Sequence, residues 1–289
     1  MSTYPDFNTL WDYSNPEETR AAFERARDEL EDATPDVLLQ LDTQVARTHG
    51  LQRDFDRAHA LLDEVASKLT PSTPIARVRY LLERGRVHNS SGDQAASAPL
   101  FHDALELAER ARAHGYAVDA AHMLGIVSRG EDALAWNRRA ITYAEAHPED
   151  PEATKWLGAL YNNTGWTLHD RGDFQGAMEL FERALAMREA AGKETPTLIA
   201  RWCVARCARS SGQLERARTM QEELRSIYAA REEPSGYVFE ELCELALIEE
   251  DVASAAAHAA RAHELLSLDP WLVANEPDRL ARLEQLSRA

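Results

Sequence analysis

Cysteine is scarce. Three residues in 289 (Cys203, Cys207 and Cys243) are an odd number in a long chain and supply no disulfide framework, which suits a reducing compartment. No stretch approaches the roughly 18 apolar residues of a membrane span. The start, MSTYPDFNTL, lacks the basic opening and apolar run of a leader. The expectation is therefore a cytoplasmic protein. Cations are also short, with 32 Lys plus Arg against 49 Asp plus Glu, a formal net charge of −17. Such a surface repels polyanions and anionic lipid, which argues against nucleic-acid and membrane binding. Glycine (13) and proline (12) together make only a small share of the chain, so a turn-rich β architecture is disfavoured. What remains is rich in Ala, Leu, Glu and Arg, with 44% hydrophobic residues, enough to bury a core and to exclude global disorder.

Internal repetition organises the chain. Gly85, Gly125 and Gly165 stand 40 residues apart, and Ala205 continues the series, with Ala46 before it and Cys243 after it. A second series follows each of these small residues. Phe101 with Ala104 recurs as Phe181 with Ala184, and Leu62/Val65, Asn137/Ala140, Gln221/Leu224 and Ala259/Ala262 fill the other slots. Short polar turns separate the two series, as in RDFD at 53–56 and in GDQ, GDF and GQL at 92, 172 and 212. Each repeat is thus a helix, a tight turn and a second helix, with a small residue that lets the second helix pack close. Pro35, Pro74, Pro151, Pro196 and Pro234 fall near the starts of first helices, where a missing N–H is harmless. Pro99 falls inside a second helix and predicts a late start or a kink there. A capping box on Ser14, Pro16 and Glu17 predicts an N-terminal helix carrying Phe23, Ala26 and Leu30, and Pro277 predicts a C-terminal one carrying Leu280, Leu283 and Leu286.

The segment 156–189 resembles the tetratricopeptide repeat, matching it in order at Gly165, Leu168, Gly172, Asp173, Phe174, Ala177, Phe181 and Ala184. Repeat two matches at Gly85, Gly92, Phe101 and Ala104; repeats three and six are degenerate, and the period is nearer 40 than the family's 34. The resemblance implies an all-α, right-handed α-solenoid of about six repeats (36–69, 75–113, 117–147, 153–192, 195–230 and 235–268), capped by helices at 15–32 and 276–288, as one domain over 1–289.

No catalytic or cofactor motif stands in the sequence: HExxH, GxSxG, a phosphate loop and a dinucleotide fingerprint are all missing. A non-enzymatic chain without cofactor or metal is the expectation. Cys203 and Cys207 share a helix face but have no histidine at ligand spacing, and so read as small buried hydrophobes.

The resemblance further implies that first helices line a concave groove, with the positions beside the small residue facing a ligand. Those positions hold Gln44, Arg47, Arg86, Asn89, His122, Asn162, Asn163, Trp166, His169, Trp202, Arg206 and Arg209. Arginine forks onto carboxylates, asparagine pairs with a peptide backbone, and tryptophan offers a rigid contact. The reading is a protein-interaction module or adaptor that takes an extended segment of another protein, acidic or with a free C-terminus, along a locally positive strip. A ligand- or peptide-sensing regulator and a self-associating scaffold are the alternatives.

Overall fold

The computed structural model describes residues 7–30 and 32–289, and every regular element among them is helical. Six helix pairs follow the repeats: α2 (Pro35–Leu51) with α3 (Phe55–Ala66), α4 (Pro74–Ser90) with α5 (Gln94–Arg110), and α6 (His114–Val127) with α7 (Gly130–Glu145). After the short α8 (Pro151–Thr154) come α9 (Leu157–Asp170) with α10 (Phe174–Ala190), α11 (Glu194–Ser210) with α12 (Leu214–Ala230), and α13 (Gly236–Ile248) with α14 (Val252–Leu266). A 3-10 turn at Phe7–Leu10 and α1 (Pro16–Glu29) precede them; α15 (Pro270–Asn275) and α16 (Pro277–Leu286) follow. The chain forms two compact units that divide at Leu160/Tyr161, inside α9.

The tight turns have one recipe. A residue of positive φ ends the first helix, at Arg53, Gly92, Gly172, Gly212 and Glu250, and the next residue caps the second. Asp54, Asp93, Asp173 and Asp251 each accept a hydrogen bond from the backbone N–H three residues on, at 3.0–3.3 Å. These carboxylates satisfy an orphan amide at the positive end of the helix dipole. Gln213 stands at the same point of repeat five without a side-chain cap.

Burial separates the two helices of a pair. Second helices bury a single stripe, such as Ala58, Leu62 and Val65 in α3 or Ala177, Met178, Phe181 and Ala184 in α10. First helices are covered on more than one side: α4 buries Arg79, Glu83 and Arg84 along with its apolar residues, and α13 buries Glu240 and Glu241. A carboxylate taken out of water needs a partner, so the first helices carry a polar seam.

Three local expectations are corrected. The N-cap of α1 is Asn15, not Ser14: its Oδ1 accepts from Glu18 N and its Nδ2 donates to Glu18 Oε2 (2.9 Å), while Ser14 turns to Asp12. The helix then ends at Glu29, and position 31 of the expected cap lies outside the described residues, as does the MSTYPD start. Helix α5 does not start late, because Asp93 caps it at Gln94 and Pro99 sits exposed within the helix, where the lost amide faces solvent. Pro151 opens α8, a separate turn of helix that takes up the longer spacing after repeat three.

Candidate functional site

In the first unit the seam runs along α2, α4 and α6. Glu83 of α4 is 3% exposed and is the hub. Its Oε1 accepts from Arg86 (2.9 Å), Arg47 (3.4 Å) and Gln44 Nε2 (3.4 Å). Arg86 also grips both oxygens of the buried Asp119 on α6, at 2.5 and 2.6 Å. Burial pulls the Arg86 guanidinium down, but Asp119 and Glu83 outweigh it and hold the group above the usual arginine range. The segment before α1 closes over the seam from one side. Trp11 stacks on Tyr13 (4.8 Å), donates to Gln44 Oε1 (3.2 Å), and both rings lie on the Arg47 guanidinium at 5.1 and 5.5 Å.

A cleft of about 540 Å3 opens above this hub, with Tyr13, Arg79, Tyr116 and Trp156 in its walls. Arg79 stacks on Tyr116 (5.4 Å) and bonds Gln40 (3.4 Å). Asn89 lies outside that cleft, half-buried in a smaller one with Met123 and Val87. His122 is half-buried near Trp156 (ring centroids 5.8 Å), and burial lowers its pKa against the opposing pull of Asp119.

In the second unit α9, α11, α13 and α16 frame a cleft of about 620 Å3. Trp166 and Trp202 meet there at 5.9 Å, and Trp202 donates to the carbonyl of Tyr237 (3.3 Å). The buried Glu241 takes Arg209 through both oxygens (2.7 and 3.2 Å) and Arg206 at 3.1 Å. Burial pushes the Glu241 carboxyl up to about 7, outweighing Arg209, which favours the charged form. Glu240 pairs with Arg279, and Glu244 with Arg282. Asn162 accepts a thiol hydrogen bond from Cys203 (3.5 Å) and donates to Asn163 (3.3 Å), which is exposed. His169 is spent on Ser210 (2.9 Å) and packs edge-on to Phe174.

Within each unit the arginines of this set are therefore paired with acids. Arg47 and Arg86 meet on one carboxylate, and Arg206 and Arg209 on another, because acids on neighbouring first helices interleave with the arginines. Arg206 and Trp166 line the second unit's cleft, Arg47 the first's. Reading outward from the motif glycines misses Glu83, Asp119 and Glu241 as partners. A signal existed for Asp119: it stands six residues before Gly125, as Arg79 stands six before Gly85. Cys203, Cys207 and Cys243 are buried and free, with burial pushing their thiols up to about 12, 11 and 11, and among the described residues no group of His, Cys, Asp and Glu is placed to hold a metal. No helix among them is long and apolar enough to cross a membrane.

Residues 157–194 match the model of the tetratricopeptide repeat. They include the Gly165/Phe181 pair and the Asp173 cap. The fold is that of tetratricopeptide-repeat proteins. RapI in its apo form is 12% identical with a TM-score of 0.72, over 91% of this chain and 76% of that one. A signal-transduction ATPase with a tetratricopeptide-repeat sensor, from Pyrococcus horikoshii, is also 12% identical with a TM-score of 0.71, over 93% of this chain; the chain spans only 41% of its length. BtubC from P. vanneervenii is 14% identical with a TM-score of 0.59, over 79% of this chain and 93% of that one. Among curated proteins none matches. Tetratricopeptide repeats generally serve protein interaction and are usually non-enzymatic.

Proposed function

We propose that this chain is a non-enzymatic protein-interaction module that seats an extended segment of another protein in the cleft of its first unit. One observation carries the reading. Two walls of that cleft are aromatic (Tyr116, Trp156) and its floor is a fixed polar network on Gln44, Arg47 and Glu83, the combination that holds and orients a peptide. The network is already assembled by ion pairs within the chain, so little ordering is left to oppose binding. The expectation of an acidic or carboxyl-terminal partner loses its premise here. The cations Arg47, Arg79 and Lys155 in the lining are matched by Glu83, Asp119, Asp150 and Glu152.

Reversing the arginines is a poor test, since it breaks the internal pairs. Blocking the cleft is cleaner. Ala159 is exposed and lines it, so Ala159→Trp fills the space without touching the network. Peptides displayed on phage are selected on the wild-type chain and counter-screened on A159W, with exposed Ala257→Trp as the control. Clones held by wild type and A257W and lost on A159W are expected. No enriched clone, or clones retained by A159W, would overturn the reading.

A further inference from the structure

Two atoms on residues that line the first unit's cleft, both shut off from solvent, have no hydrogen-bond partner among the described residues. They are Oε2 of Glu83, whose other oxygen carries three bonds, and Nε of Arg47. A buried carboxylate oxygen left without a donor is costly, and native structures rarely tolerate one unless something else completes it. The two orphans are opposite in sense: one needs a donor, the other an acceptor. They sit on residues in mutual contact, with Arg47 NH1 at 3.4 Å from Glu83 Oε1.

We infer that the first unit's cleft recognises the free amino terminus of a peptide, its ammonium donating to Glu83 Oε2 and its first carbonyl accepting from Arg47 Nε. This rests on the reading that a peptide occupies that cleft. The amino terminus is the one part of a peptide that joins a cation to a carbonyl across a single residue, and its pKa near 8 keeps it charged at neutral pH. The charge of the lining is close to balanced, with Arg47, Arg79 and Lys155 standing against Glu83, Asp119, Asp150 and Glu152, so it does not oppose an entering ammonium. Tyr116 and Trp156 offer faces for the first side chain. The terminal torsion of glutamate is soft, but Oε1 holds three hydrogen bonds, so turning Oε2 towards an entering ammonium exchanges part of that network for the new charge-assisted bond.

The probe is an equimolar pool of random hexapeptide amides with free amino termini, compared with the same pool N-acetylated. Each is passed over immobilised wild type, Glu83→Gln and Ala159→Trp, and the retained fraction is read by mass spectrometry. Wild type is expected to retain the free-amine pool about tenfold or more over the acetylated one, the scale of a charge-assisted hydrogen bond. Glu83→Gln should abolish that preference, and Ala159→Trp should abolish retention. Equal retention of both pools by wild type, blocked by A159W, would overturn the amino-terminal reading and leave the peptide cleft standing. Retention of neither would sink both. Should Glu83→Gln fail to fold by circular dichroism, the two pools on wild type decide the matter alone.

Discussion

Gly165 of α9 lies against the ring of Phe181 on α10 so closely that a Cβ added to it would stand 2.7 Å from Phe181 Cε1. Gly85 stands in the same relation to Phe101, at 2.6 Å. Glycine is used in these helices for close approach and costs about 1 kcal/mol of helix propensity relative to alanine. Gly165→Ala should therefore destabilise despite the better helix former, by about 1 to 3 kcal/mol, because a fully buried ring has nowhere to move. Gly50 is the control: its added Cβ would meet only Val87 Cγ2 at 3.4 Å, ordinary contact. Thermal melts should fall for G165A and G85A and hold or rise for G50A. A rise for all three would mean that the rings yield.

The repeat was legible because this pairing writes itself twice in the sequence, as a small residue and as a large one downstream, with an Asp cap between. The cores of repeats two and four follow directly. The site was not legible in the same way. Whether Arg86 is a free groove cation or half of a buried pair depends on Asp119, which lies 33 residues on and meets it only because α4 and α6 run side by side. Residue type and spacing gave the face of the helix. Charge at that face came from the neighbours.

Gln221 occupies the slot that Phe101 and Phe181 hold in their repeats, fully buried, with neither amide atom hydrogen-bonded. An unsatisfied buried amide costs roughly 1 to 3 kcal/mol. Replacing it with methionine, of similar volume and no polar group, should raise stability by a comparable amount. Denaturant unfolding of Gln221→Met measures this, and a lower midpoint at unchanged slope would show that the amide is satisfied in solution.

The pH dependence around Glu241 has a definite sign. Its folded pKa is raised to about 7 from 4.5, first by burial, so the folded chain favours the protonated form. The stabilisation linked to that proton is fully present below about 4.5 and is lost as pH rises through about 7. Wild type should accordingly lose stability relative to Glu241→Gln across that interval, and the Glu241 carboxyl carbon should titrate near neutrality by NMR. A midpoint at or below 4.5 would show that Arg206 and Arg209 outweigh burial.

Arg86 offers the sharpest contrast between a buried and an exposed ion pair. It holds Asp119 through both oxygens and Glu83 through one, and all three side chains are at most 15% exposed. Arg110 also contacts a carboxylate, that of Glu106, but there both side chains are exposed, at 69% and 70%. Removing one partner of a buried pair strands the other charge, at about 3 to 5 kcal/mol, whereas an exposed pair is worth roughly 0 to 1. Asp119→Leu should therefore be severely destabilising and Glu106→Ala nearly silent. The double variant Arg86→Met with Asp119→Leu should recover much of the loss, since it removes both charges of that contact together, although Glu83 then keeps only Arg47 and Gln44. A double-mutant cycle by urea unfolding reads the coupling directly. Coupling near zero between Arg86 and Asp119 would mean that solvent reaches the seam, and that the polar floor of the first cleft is not held rigid by this pair.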